Sequence, residues 1–357
     1  APARRLDLET VVQVATRLQS ALSAPFSINA TRIYVSCSVG FCLGARVPQP
    51  NGKSLLNAAQ IAADEALRHG PNAVRAFSDE MARTRSDRDS LREELELALD
   101  EGQIRAHFQP QISTHTGEIT GFEALARWYH PEKGLIPPAD FLPLIQDAGL
   151  SERLGEVILF NALTALARWD RAQLNIPSVA VNFSPDELRN PKLADKLKWE
   201  LDRFNLPPAR LSIEVLENVV ADTDNDVVVS NIAALARLGC GIDLDDFGTG
   251  HASITSIRRF AIRRLKIDRS FVTKLDEDRD QQKIVSAILS MAEQLGLETL
   301  AEGVETPGEH AMLAQLGCGE VQGFGIARPM PVDETLDWIA RHRARVGAVP
   351  RIGHRAR

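Results

Sequence analysis

The sequence predicts an α/β protein built on a (β/α)8 barrel, with a shorter α/β segment in front of it. Three observations carry this. The chain has 357 residues, 44% of them hydrophobic and 25% charged, which is the mix of a globular protein with room for more than one domain. From Ala106 to Pro331, short apolar segments alternate with longer helical patterns. Eight of the short ones read as strands: HFQPQI, GFEALARW, VAVNFSP, LSIEVLE, CGIDLDDFG, RLKID, TLAEGVE and VQGFGIA. Nearly every one of these strands also bears an isolated polar residue at or near its C-terminal end. They are Glu123, Asn182, Glu214, Asp245 with Asp246, Lys266, Glu302 and Gln322. In a barrel those ends converge on the face where active sites sit.

The elements follow in order. Residues 7–22 place apolar side chains at helical spacing, and 31–43 is rich in β-branched residues and reads as one strand. Residues 54–69 return to helix, then Gly70 and Pro71 lead into a short strand at 74–77. This piece has too few strands for a complete α/β domain. Residues 87–101 form a charged helix with Leu91, Leu95 and Leu99 on one stripe, read as a linker packed on its neighbour. After the barrel, six arginines and no acid occur between Arg341 and Arg357, a solvated tail.

Composition excludes several classes. The formal charge is −7, so the basic excess of a nucleic-acid polymer binder is missing. Four scattered cysteines, with no CxxC pair, offer neither a disulfide framework nor a zinc site and fit a reducing cytoplasm. The sequence contains no apolar run of membrane-spanning length and opens on no signal peptide. A start at Ala1 reads as an excised fragment and leaves an upstream sensor or membrane anchor open.

Taken singly, Glu123 could be a surface acid, and Asn182 could cap the helix begun by SPDEL. Together, five carboxylates and an Asn around one rim repel one another unless cations neutralise them. All-oxygen ligands select Mg²⁺, Mn²⁺ or Ca²⁺. Two such ions are common equipment for in-line attack on a phosphodiester. Lys266 adds a fixed positive charge where phosphate or an attacking water would sit. These residues point to a metal-dependent hydrolase or lyase acting on an anionic substrate.

The segment EALARW, starting at Glu123, resembles the signature of EAL-domain cyclic di-GMP phosphodiesterases. The resemblance continues in order through HPEKGLIPPADFLPLIQDAGL, VNFSPDEL, LSIEVLE, DLDDFGTG, LKIDRSFV, AEGVET and QGFGIARPMP. It implies an EAL-type TIM barrel that opens cyclic di-GMP to linear pGpG with two metal ions, Mg²⁺ or Mn²⁺; Ca²⁺, whose coordination is longer and looser, should inhibit by misplacing the water that two smaller ions align. By matched position it implies that Glu123, Asn182, Glu214 and Asp245 hold one metal, and that Asp245 bridges to a second shared with Asp246 and Glu302. It gives Lys266 the orientation of the attacking water and Glu302 the general-base role, although a carboxylate that ligates a metal is a weak base. Gln109, Arg127 and Gln322 would contact substrate, and Glu217 would steady the loop after Asp246. The resemblance also implies a homodimer through the barrel.

Departures from the family pattern are His251 in place of a common Tyr, IEVLE without the usual Thr, and Arg328 for a frequent Lys. None removes a ligand. The alternative is an inactive relative that acts as a cyclic di-GMP receptor, but such relatives usually lose part of the acidic set. Through YVSCSVGF and AADEALRHGPNAVRAF, the first residues resemble the C-terminal part of a GGDEF domain without its signature loop. The expected division is a partial GGDEF-like segment at 1–80, a linker helix at 81–103, the EAL domain at 104–342 and the Arg-rich tail at 343–357.

Overall fold

The structure, a computed structural model, describes residues 8–28, 31–221, 226–248, 257 and 259–347. His251, most of the segment from Asp246 to Ser253, and the tail beyond residue 347 lie outside the described residues. The chain divides into two compact units, residues 1–94 and 95–357.

In the first unit, α1 (Leu8–Leu22) precedes a small antiparallel pair, β1 (Phe26–Ile28) and β2 (Thr31–Ile33). β3 (Val39–Phe41), α2 (Gly52–Arg68) and β4 (Val74–Ala76) follow, and β3 pairs with β4 in parallel. The single strand expected over 31–43 is therefore two strands in two different sheets. Its β-branched residues favour extended backbone throughout, but a strand exists only where a partner runs beside it. β2 finds one in β1 and β3 finds one in β4. A capping box between Asn51 and Ser54 starts α2, and its Ala58 and Ala62 pack with Phe77. The charged helix α3 (Asp79–Asp100) begins eight residues before the expected start, with Asp79 and Glu80 favourably placed at the positive end of its dipole. Leu91, Leu95 and Leu99 form its buried stripe.

The second unit closes eight strands into a barrel. These are β5 (Ile104–Ser113), β6 (Ile119–His130), β8 (Val179–Asn182), β9 (Leu211–Leu216), β10 (Gly241–Phe247), β11 (Arg264–Ile267), β12 (Glu298–Ala301) and β13 (Glu320–Val321). The short β7 (Gly134–Ile136) extends the outer part of β6. From β6 to β13 neighbours run parallel, but β5 is antiparallel to both β6 and β13. The helix expected between the first two strands is absent. Only residues 114–118 join β5 to β6, and a parallel crossover needs a dozen or more residues, so the pair is a hairpin. Glu123 also lies within β6, not at its end, because that strand runs on past the closed barrel to pair with β7.

Among the described residues, helices lie between most of the parallel strands. They are α4 (Pro138–Asp147), α5 (Ser151–Arg171), α6 (Pro185–Arg189), α7 (Leu193–Arg203), α8 (Glu217–Ala221), α9 (Asp226–Leu238), α10 (Arg279–Leu295) and α11 (Pro307–Leu316), with α12 (Val332–Gly347) after the last strand. Strand alternation sorts the side chains. Phe122, Val181, Ile213, Leu244 and Leu265 join the apolar core with Leu163 and Leu166 of α5. The other face of the strands fills the barrel with polar groups in layers. In one layer the fully buried Arg264 donates to Asp243 and, at 2.7 Å, to Glu320. The next residues on the same strand faces, Asp245, Lys266 and Gln322, belong to the layer that forms the candidate site.

A second buried carboxyl fixes the turn after β8. Ser184 and Glu187 form a capping box at the start of α6, with Ser184 N–H donating to Glu187 Oε2 at 2.8 Å. Burial pushes the Glu187 carboxyl from 4.5 up to about 7, against the opposing Ser184 hydrogen bonds. The folded chain thus holds this proton more tightly than the unfolded chain. The associated stability is complete below about pH 4.5 and is lost as pH rises through about 7, by about 3 kcal/mol. Unfolding titrations of wild type and Glu187→Gln at pH 4.5 and 8 should show the wild type losing ground by that order. A pH-independent difference would mean that Glu187 ionises normally.

Candidate active site

Four strands bring carboxylates around one ammonium group. Lys266 Nζ lies 2.6 Å from Glu302 Oε1, 2.9 Å from both Glu214 Oε1 and Asp245 Oδ1, and 3.8 Å from Glu123 Oε1. Each position follows from strand register, since Glu214 sits beside Asn182 on one side and Asp243 on the other. Asn182 Nδ2 donates to Glu123 Oε1 at 2.8 Å, and Gln322 Nε2 donates to the other oxygen of Glu123. Gln322 Nε2 also donates to Gln109 Oε1 at 3.1 Å, and Gln111 Nε2 donates to Gln322 Oε1 at 2.9 Å. Sequence reasoning passed over Gln111, which is fully buried two residues along the same face from Gln109.

Asp245 and Asp246 are adjacent, so a regular strand would point them to opposite faces. The pairing of β10 with β11 shifts register between Leu244 and Phe247, and Asp246 takes φ 55°, a left-handed conformation that Asp tolerates better than most residues. This irregularity lets both carboxylates approach one point. Oxygens of Asp245, Asp246 and Glu302 all lie within 4.8 Å of one another. Glu217 stands apart from them. β9 ends at Leu216, Glu217 opens α8, and its Oε2 accepts the Gly248 N–H at 2.9 Å.

Electrostatics follow from burial and crowding. Burial works against the charge of Lys266, but Asp245, Glu123, Glu214 and Glu302 outweigh it and hold the ammonium well above its ordinary pKa. Burial, then Glu123, raises Glu214 well above the carboxylate range. Burial also pushes Glu302 to about 8, with Lys266 opposing and Asp245 and Glu123 adding. Burial would raise Glu123 too, yet Lys266 and the hydrogen bonds it accepts hold it below its usual value. Asp246 is raised by burial and by Asp245. One cation thus faces five acids, an excess of negative charge that favours a bound cation.

The donor set fits a divalent metal. Glu214 Oε2 is buried without a hydrogen bond, Glu214 Oε1 faces the Lys266 ammonium at 2.9 Å, and the ligand-type atoms of Asp245, Asp246 and Glu302 cluster in an all-oxygen site. Above them opens a cavity of about 240 Å³ lined by Gln109, Glu123, Asp245, Glu302, Arg269 and Phe324. Arg269 and Phe324 were not singled out from the sequence, although both lie inside quoted motifs. Gly303 makes room for Arg269, because a Cβ there would fall 2.4 Å from that of Arg269. The Arg328 guanidinium lies 4.3 Å over the Phe324 ring. Arg127 is half-buried further along the face of β6 that carries Glu123. Its Nη1 donates to the Ala126 carbonyl, and the cavity lining does not include it.

With this geometry in view, the profile of the EAL domain matches residues 92–329. The chain belongs to the EAL-domain family. It is 35% identical over 328 residues to the bifunctional diguanylate cyclase/cyclic di-GMP phosphodiesterase MucR of Pseudomonas aeruginosa, covering 92% of this chain and 47% of that one. It is 34% identical over 334 residues to the cyclic di-GMP phosphodiesterase PdeR of Escherichia coli, covering 93% and 50%. The chain therefore spans about half the length of these relatives. Among solved structures it is similar to a PaMucR phosphodiesterase in complex with c-di-GMP, with 38% identity and a TM-score of 0.65. That match covers 69% of this chain and 99% of the other.

Proposed function

We propose that this EAL barrel hydrolyses cyclic di-GMP to linear pGpG. The observation that carries the reading is the ring of Glu123, Glu214, Asp245 and Glu302 around Lys266, opening into a cavity beside Asp246. Named phosphodiesterase relatives and the nucleotide-bound PaMucR structure supply the substrate. Glu123, Asn182, Glu214 and Asp245 would hold one Mg²⁺ or Mn²⁺, and Asp245, Asp246 and Glu302 a second. Such ions supply charge neutralisation and polarise the phosphoryl group and the attacking water. Lys266 fixes the carboxylates and orients that water, and Glu302 accepts its proton. The water oxygen bonds to phosphorus, the bond from phosphorus to O3′ breaks, O3′ takes a proton from solvent to leave as the 3′-hydroxyl, and Glu302 returns the proton it accepted to solvent. Gln109 and Arg127 contact the nucleotide, Arg127 through a phosphate oxygen. Gln322 positions Glu123 and faces the substrate. The barrel acts as a homodimer in the cytoplasm, and residues 1–80 are the C-terminal part of a GGDEF-like domain. Among the described residues no helix is long and apolar enough to cross a membrane.

Incubation of the chain with cyclic di-GMP and Mg²⁺ or Mn²⁺, followed by chromatography, tests this reading. The expected product is pGpG, formed far faster than GMP, with turnover abolished by EDTA and inhibited by Ca²⁺, whose longer and looser coordination misplaces the water. Full activity in excess EDTA would sink the metal-dependent reading, and Ca²⁺ turnover equal to Mg²⁺ would count against the proposed geometry. Tight binding without turnover would make the chain a receptor.

The two neighbouring glutamates should separate. Glu214→Gln removes a buried ligand and should weaken metal affinity at the first site. Glu217→Gln should leave that affinity near normal while loosening the segment held through Gly248, lowering turnover through the second metal and the dimer contact. Metal titration with hydrogen exchange on both variants decides between them. Equal metal loss in both, with unchanged exchange around Gly248, would refute the positioning role of Glu217.

A further inference from the structure

The barrel unit holds a second pocket that shares no lining residue with the catalytic cavity. It lies between α5 and α7, has a volume of about 610 Å³, and falls within the size range of small-molecule sites. Leu159, Phe160, Phe183, Leu193 and Trp199 give it apolar walls. Two of these aromatic rings are open to solvent, Phe160 at 45% and Trp199 at 61% exposure.

The pocket contains a carboxyl group that the capping box only half uses. Glu187 is 8% exposed, and its Oε2 accepts from both the backbone N–H and the hydroxyl of Ser184. Its Oε1 has no hydrogen-bond partner among the described residues. That oxygen rests against Gly155 of α5, where a Cβ would fall 1.8 Å away, so the side chain occupies space that only glycine leaves free. Glu187 and Gly155 both line the pocket. That oxygen faces the pocket and takes no donor from the described residues, so an entering cationic donor can pair with it.

The surrounding charges favour the same partner. Glu152 and Glu156 of α5 stand on the rim and act on Glu187 as like charges. The Lys196 ammonium is engaged with these two, 3.2 Å from Glu156 and 3.7 Å from Glu152. Asp195, Glu200 and Lys192 complete the charged lining, which leaves an excess of acids. An anion would be repelled here, and a neutral molecule would forgo the charge-assisted hydrogen bond to Glu187.

We propose that this pocket is a binding site for a small organic ammonium, a protonated amine carrying an aromatic or alkyl body. The ammonium donates to Glu187 Oε1, and the apolar body lies against Phe183, Phe160 and Trp199, the last two of which already hold the Arg203 guanidinium 5.7 and 5.5 Å over their rings. Glu187 holds the backbone of Ser184, two residues after Asn182, so occupancy acts directly on the segment that carries Asn182. The site is independent of the hydrolytic reading.

Calorimetric titration of the full chain with 2-phenylethylamine at pH 8, where Glu187 is ionised and the amine is still protonated, without nucleotide, tests the site. The near-isosteric 2-phenylethanol and phenylacetate serve as neutral and anionic probes. The amine should bind at least tenfold more tightly than the alcohol, phenylacetate should not bind, and hydrogen exchange at the Ser184 amide should slow. Glu187→Gln should weaken amine binding at least tenfold and leave alcohol binding unchanged. Trp199→Ala, at an exposed position that the fold tolerates, should weaken both, and it keeps the test decisive if Glu187→Gln does not fold. Equal binding of amine and alcohol, no amine binding at about 10 mM, or amine binding indifferent to either substitution would overturn the proposal. Because no nucleotide is present, these outcomes stand apart from success or failure of the hydrolysis assay.

Discussion

Lys266→Met should destabilise the metal-free chain by about 3–5 kcal/mol, the range for removing one partner of a buried ion cluster. The substitution keeps an unbranched side chain of similar reach, so it tests charge, not volume. In the wild type the ammonium lies 2.6–2.9 Å from three carboxylates and 3.8 Å from a fourth. Its removal leaves Glu123, Glu214, Asp245 and Glu302 facing one another inside the barrel. They can neither separate, because strand pairing fixes their backbones, nor reach water, because Glu123 and Glu214 are buried. Urea unfolding in EDTA should show the full loss. Saturating Mg²⁺ should narrow the gap, because ligands that hold a cation stabilise the folded state by mass action. Equal stability of variant and wild type in EDTA would show that Lys266 does not carry the neutralisation of the ring.

What the sequence showed of this site, and what it hid, divides on physical grounds. Glu123, Asn182, Glu214, Asp245, Lys266 and Glu302 were legible because alternation places one polar residue among apolar neighbours on each strand, and the structure gathers them. The proximity of Asp246 to Asp245 and Glu302 was not derivable from alternation, since it depends on the register shift after Leu244 and the left-handed backbone at Asp246. The antiparallel first strand was within reach of the sequence. Eight residues separate HFQPQI from GFEALARW, too few for a crossover helix, but the repeating pattern of the other strands overrode the count. The layer formed by Asp243, Arg264 and Glu320 was invisible for a different reason. Its charges neutralise one another across strands far apart in sequence, and each alone reads as a surface residue. In the first unit, residues 31–43 showed extended propensity but not the change of partner that divides them between two sheets.

Glu123→Ala should reduce turnover of cyclic di-GMP at least 100-fold, about 2.7 kcal/mol of barrier. Glu123 serves three groups at once. One oxygen accepts from Asn182 and faces Lys266, and the other accepts from Gln322. Alanine therefore removes a proposed ligand and also releases the Asn182 and Gln322 side chains that share its site. Nucleotide binding, measured by calorimetry with Ca²⁺ present, should survive, because Gln109, Arg127 and the cavity walls remain. Glu123→Gln divides the two contributions, since it keeps an acceptor for one neighbour while discarding the charge. If ligation is what matters, Gln should lose nearly as much turnover as Ala. If positioning of Asn182 and Gln322 dominates, Gln should recover much of it. The fold should tolerate both changes in the metal-free state, because each relieves repulsion among Glu123, Glu214, Asp245 and Glu302. A Glu123→Ala chain that keeps more than about a tenth of wild-type turnover, a loss below roughly 1.4 kcal/mol, would remove Glu123 from the metal ligands.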